Sequence, residues 1–262
     1  MGVVRAVLVA VVALLATACQ ASDRPPSTTS TGPNERGYTE ADVRSRCLSA
    51  IPEDAPVRAV TMLRETGIAL PAVDIGPATT SDVALVLLPQ INAGLCGWGR
   101  FASYAATQGV SSVLIDVCGY GDSDCAHTGP DRVADQVQLA ADHLRDRGAT
   151  TVVVVGVSMG GSDAVRAAAS GAEVDGWADI SGPPTWDRVR LLDVADRIDL
   201  PGFIGYARSD GALAYRSAQQ LARRTGARFV DGGHGHGWEL LSTPFGRPRP
   251  LAERLLEFVS GV

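Results

Sequence analysis

Residues 151–155 (TVVVV) are five β-favouring residues in a row, and Gly156, Val157, Ser158, Met159 and Gly160 follow them directly. A run that is apolar at every position suits a strand covered on both faces, the setting of a parallel sheet inside an α/β protein. Residues 159–169 then turn to small helix formers. The chain must pass from strand to helix within a few residues. Only glycines tolerate the close backbone approach such a turn imposes. This strand, Gly-x-Ser-x-Gly turn and helix form the context in which a serine is presented above a sheet edge as a nucleophile, with the helix N-terminus favouring developing negative charge.

The rest of the pattern agrees with a mostly parallel sheet covered by helices. Residues 57–63 and 68–75 read as an opening antiparallel pair. Residues 83–88 (VALVLL), 113–116, 174–180, 202–206 and 227–230 read as further strands. Residues 102–107, 131–147, 212–224 and 251–259 read as helices; the second has Val133, Val137, Ala140, Ala141 and Leu144 on one face and Gly148 as its stop. Strands alternating with helices mean βαβ units, so the expected fold class is α/β. A composition of 45% hydrophobic and 20% charged residues suffices for one sizeable core. The net charge of −6 offers no basic stripe to release counterions from phosphates, which argues against a nucleic-acid partner.

The N-terminus reads as a targeting segment. Arg5 precedes an apolar run over residues 6–18, long enough for a signal-peptide core and short for a bilayer span. Leu15, Ala16, Thr17 and Ala18 lead into Cys19 as in a bacterial lipobox, where the Cys is lipidated; cleavage at Ala18 or Ala21 as an ordinary signal peptide is the alternative. The expected organisation is a signal peptide over residues 1–19, a Ser/Thr/Pro-rich tether over 20–45 and a catalytic domain over 46–262. The chain is then an exported cell-envelope lipoprotein or a secreted protein. Four more cysteines in an exported chain suggest disulfides, with three connectivities possible. Cys118 and Cys125 lie close together on one Gly-rich loop and are the expected pair, which leaves Cys47 with Cys96. Their spacing resembles no zinc pattern, so no metal site is expected.

A serine needs a base, and the base needs an orienting carboxylate. His234 and His236 follow the last expected strand. His236, just before an expected helix start, is the candidate base, with His234 as the alternative. Asp210 lies on the loop after residues 202–206, between Ser158 and His236 in chain order, and is the candidate carboxylate; Asp179 is the alternative. His127 and His143 have nothing catalytic near them in sequence. An oxyanion hole needs two backbone donors. Met159 supplies one. The other is expected from the loop after residues 83–88, where Pro89 has no N–H; Ile91 is the candidate and Gln90 the alternative.

With these motifs the chain resembles the α/β-hydrolase superfamily from about Val57 to its end. Besides Gly156, Ser158, Gly160 and Gly161, the run from Asp116 to Ser123 is similar to that family's Asp-x-x-Gly-x-Gly-x-Ser loop after the fourth strand. It departs from the family at Pro89 and Gln90, where His-Gly is common, and at Cys118, where a basic residue is usual. The resemblance implies an α/β-hydrolase fold and hydrolysis of a small-molecule ester, a lipid or a related acyl compound, with no metal or organic cofactor. Only some twenty residues (181–200) separate the sixth and seventh strands of that fold here, enough for one helix around 188–198 but not for a large cap domain. Trp98, Trp186 and Trp238 are candidate rim residues. Two other functions share these features: an acyltransferase on the same three residues, and a non-catalytic surface lipoprotein that keeps the fold.

Overall fold

The computed structural model describes residues 39–63, 69–77, 80–123, 125 and 132–262. The chain divides into two units, Met1–Arg36 and Gly37–Val262. The first, with Cys19 and the apolar run, lies outside the described residues, as does His127.

The second unit opens with helix α1 (Glu40–Cys47) and strands β1 (Val57–Leu63), β2 (Ala69–Ile75) and β3 (Val83–Leu88). Helix α2 (Gly99–Thr107), β4 (Ser111–Ile115), α3 (Arg132–Asp146), β5 (Thr151–Val157), α4 (Met159–Ala169) and β6 (Gly176–Ile180) follow. A two-residue-strand hairpin, β7 (Thr185–Trp186) and β8 (Val189–Arg190), leads into the short α5 (Leu191–Val194). The chain ends with β9 (Gly202–Tyr206), α6 (Ala212–Thr225), β10 (Arg228–Asp231) and α7 (Pro250–Val259). Eight strands form one sheet in the order β1-β2-β4-β3-β5-β6-β9-β10. β2 pairs antiparallel with β1 and β4, and the remaining pairs are parallel.

Side-chain alternation explains the unbroken apolar strands. Ala84, Val86 and Leu88 of β3 and Val152 and Val154 of β5 pack on one face, with the buried sides of α3, α4 and α6. Leu85, Leu87, Val153, Val155 and Val157 point to the other, with α1, α2 and α7. Each strand therefore has two buried faces and no polar alternation. The chain leaves β3 for β4 on one side and returns to β5 on the other. Such a reversal of strand order marks the position, outside the carboxyl ends of β3 and β5, where open α/β sheets usually bind ligands.

Three expectations need correction. The boundary at residues 45 and 46 falls inside α1. That helix starts at Glu40 because Thr39 and Asp42 cap it reciprocally, Asp42 N donating to Thr39 Oγ1 at 3.2 Å and Thr39 N to Asp42 Oδ2 at 2.9 Å. Its buried face is only Val43 and Cys47, too sparse to read as periodicity. The single helix expected over 188–198 is instead the hairpin, α5 and a further turn, Ala195–Arg197. Asp187 and Arg188 at the hairpin tip both have positive φ, 47° and 65°. Buried Arg166 of α4 pins that tip through Asp187 at 3.3 Å, while also holding Asp163 at 2.7 Å. Trp98, expected at the rim, is fully buried and donates from Nε1 to Leu88 O at 2.9 Å.

Both expected disulfides are formed, Cys47 with Cys96 and Cys118 with Cys125. The first ties α1 to the loop after β3; the second closes the loop after β4.

Candidate active site

Ser158 sits between β5 and α4 with φ 50° and ψ −121°, a strained conformation for a residue with a side chain. Its surroundings over-determine it. Ser158 N donates to Ile180 O at 2.8 Å, and Ser158 O accepts from Gly161 N at 2.8 Å and Ser162 N at 3.2 Å. The two motif glycines are sterically required. A Cβ on Gly156 would lie 1.8 Å from Gly160 O, and one on Gly160 would lie 2.4 Å from Leu88 O.

Gly160 N donates to Pro89 O at 3.1 Å, which docks the loop after β3 onto this turn. Met159 N, at the first position of α4, has no carbonyl one turn back to reach within the helix. Gln90 and Ile91 come next on the docked loop, Ile91 with 42% of its surface exposed. The far end of that loop is fixed by Asp116, which is fully buried. Its carboxylate accepts from Leu95 N at 2.7 Å and Asp122 N at 2.9 Å and pairs with Arg46 Nη1 at 2.6 Å. A Cβ on Gly121 would fall within the Asp116 carboxylate, so the Gly-x-Gly pattern of this loop makes room for that hub. The Gly-x-Gly pattern is visible in the sequence, whereas the anchoring role of Asp116 depends on partners distant in the chain.

The histidine loop closes from the other side. His236 Nδ1 lies 2.8 Å from Asp210 Oδ1; the carboxylate is 8% exposed and the imidazole 47%. With Nδ1–H donating to the carboxylate, Nε2 carries the lone pair. Ser209 Oγ bonds both Gly235 N (3.1 Å) and Gly235 O (3.2 Å), so the turn carrying Asp210 and the loop carrying His236 are stitched together. Gly237 N donates to Ser181 Oγ at 3.1 Å. A Cβ on Gly237 would lie 2.7 Å from Gln90 Oε1 and 3.6 Å from Val157 Cβ, so the residue after His236 abuts the residue before Ser158. Neither Ser181 nor Gln90 was legible as a support for this loop.

The alternatives fall elsewhere. His234 is exposed, and its carbonyl accepts from Arg249 Nη1 at 3.4 Å. His143 of α3 bonds Asp74 of β2 at 3.0 Å. Asp179 is 1% exposed at the end of β6 and accepts from Gly182 N at 2.7 Å. Burial pushes its carboxyl up to about 7, against the Gly182 bond, with the charge of Asp210 adding to the rise. Burial, with the charges of Asp179 and Asp210, also raises the phenol of Tyr206, whose hydroxyl donates to Gly182 O at 2.9 Å. Trp186 and Trp238 are half-buried. Among the described residues no group of three or more His, Cys, Asp or Glu side chains could hold a metal ion.

No family model and no curated relative matches this sequence. Solved structures do match. An esterase from Pyrococcus furiosus superposes with a TM-score of 0.66 at 17% identity, over 79% of this chain and 91% of that one. An α/β hydrolase from Penicillium sp. sh18 gives 0.66 at 14%, over 79% and 98%. An esterase from Exiguobacterium antarcticum gives 0.61 at 15%, over 77% and 99%. At these identities the likeness is one of fold, and that fold is the α/β-hydrolase fold.

Proposed function

We propose that this α/β-hydrolase-fold chain is a serine hydrolase that cleaves carboxylic esters, with Ser158 as nucleophile, His236 as base and Asp210 as the orienting carboxylate. The observation that carries the reading is the 2.8 Å contact between His236 Nδ1 and Asp210 Oδ1, in a loop that abuts the Ser158 turn. Ser158 Oγ attacks the ester carbonyl as its proton passes to His236 Nε2. The carbonyl oxygen becomes an oxyanion facing Met159 N and the N–H of Ile91 or Gln90. The C–O bond then breaks, the leaving alkoxide takes the proton from His236, and the acyl group stays on Ser158. Water repeats the sequence with His236 as base, releasing the acid and restoring the serine.

A fluorophosphonate probe tests this reading directly. The Ser158 oxygen forms a bond to phosphorus as fluoride leaves, so folded wild-type protein is expected to be labelled in near-stoichiometric amount and Ser158→Ala protein not at all. Equal labelling of both, or of neither, refutes it.

We infer that the enzyme works outside the cytosol, held to the envelope by a lipid on Cys19. The two disulfides support an oxidising compartment. In a bacterial host fed an alkyne fatty acid, the full chain is expected to become labelled and to partition with membranes, and Cys19→Ser to do neither. Unlabelled wild-type protein in the medium overturns the anchor.

A further inference from the structure

Beside the histidine loop runs a groove of about 660 Å³ whose walls include Arg46, Leu48, Arg100, Trp238, Glu239 and Arg249. It lies against the active-site loops. Trp238 is two residues from His236 in sequence, and Gly237 between them abuts Val157 and Gln90. The Trp238 indole is seated on Gly97, where a Cβ would come within 2.1 Å of the ring. Leu48 stands on the wall with 73% of its surface exposed. The groove therefore has an apolar surface.

Its charges are unevenly used. Arg46 is committed to Asp116 at 2.6 Å and Asp122 at 3.0 Å. Glu239 accepts from His236 N at 3.3 Å. Arg100, by contrast, has no polar partner among the described residues. Arg249 gives Nη1 to the His234 carbonyl at 3.4 Å, and its Nε is buried without a partner. Two guanidinium groups without a carboxylate partner among the described residues thus line one groove. A guanidinium fork matches carboxylate or phosphate oxygens two at a time, and a local positive field draws such anions from solution.

We propose that this groove is a substrate subsite for an ester arm that ends in a carboxylate or a phosphate, with the oxyanion on Arg100 and Arg249 and the apolar stem along Trp238 and Leu48. As a substrate subsite it rests on the serine-hydrolase reading; as an anion site it stands alone, and the experiment separates the two. Ser158→Ala protein is titrated calorimetrically at low salt with glutarate, with glycerol phosphate and with the neutral glutaramide. At least one anion is expected to bind saturably, roughly tenfold or more tightly than the diamide, and to weaken as salt screens the charges. Glutarate alone binding assigns a carboxylate arm; glycerol phosphate alone assigns a phosphate arm. Adding Arg100→Gln and Arg249→Gln is expected to remove that preference, and so, in part, is Arg100→Gln by itself, a milder change in case the double variant fails to melt cooperatively. Anions that bind no better than glutaramide, or a preference unchanged in the arginine variants, overturn the proposal. With wild-type enzyme, a 4-nitrophenyl carboxylic ester whose acyl chain ends in the preferred anion (mono-4-nitrophenyl glutarate or 4-nitrophenyl 4-phosphonooxybutyrate) is expected to show at least a tenfold lower KM than 4-nitrophenyl butyrate, and an equal KM limits the groove to an anion site without a role in substrate choice, which overturns the subsite. If neither ester is hydrolysed while the anion still binds, the hydrolase reading fails and the anion site survives.

Discussion

Ser158→Ala is expected to lower kcat on a neutral aryl ester by about 10^6-fold, His236→Ala by a similar factor, and the double variant by no more than either alone. The shape of this result matters more than its size. In a serine hydrolase the serine and imidazole act as one device, so once either is gone the other has nothing left to do, and the residual rate comes from binding and the oxyanion donors. Asp210→Asn is expected to cost about 10^4-fold, because an amide at 2.8 Å from Nδ1 can present an N–H and so favour the wrong imidazole tautomer. Circular dichroism and thermal melting check that each variant folds, and burst kinetics separate acylation from deacylation. Costs that multiply in the double variant would mean that Ser158 and His236 do not share a step.

How much of this was legible beforehand depended on how local each feature is. The β5 strand, its glycines and α4 are contiguous, and steric rules act within that stretch: Gly156 must clear Gly160 O, and Gly160 must clear Leu88 O. The sequence alone therefore located the turn. The disulfide pairs were also readable, since Cys118 and Cys125 share one short loop. A position just before a helical turn favours His236 over His234 in the sequence, and His236 is the one whose Nδ1 lies 2.8 Å from Asp210 Oδ1. What escaped was tertiary. Arg166 stabilises a hairpin tip whose residues, Asp187 and Arg188, carry none of the usual glycine signal for positive φ. Trp98 looked like a rim residue because nothing nearby in sequence reveals that Leu88 O will satisfy its N–H. The role of Asp116 depends on Arg46 and Leu95, seventy and twenty-one residues away.

Asp179→Asn is expected to flatten a pH dependence that the wild type carries. The carboxyl titrates at 3.8 when free and is pushed up to about 7 by burial in the fold. Between those values the folded chain holds a proton that the unfolded chain has released, so folding becomes less favourable as pH rises. The contribution is fully present below about pH 4 and is lost as pH climbs through 7. Three pH units correspond to roughly 4 kcal/mol at most. Asparagine keeps an oxygen for Gly182 N and removes the charge, so urea unfolding at pH 8 should find the variant more stable than wild type by a few kcal/mol, with the gap closing toward pH 4. Parallel curves would mean that folding leaves the Asp179 carboxyl near its free value. The same variant decides between the two carboxylates: if Asp210 orients His236, Asp179→Asn leaves kcat within about tenfold, whereas a loss near 10^4-fold would move the orienting role to Asp179.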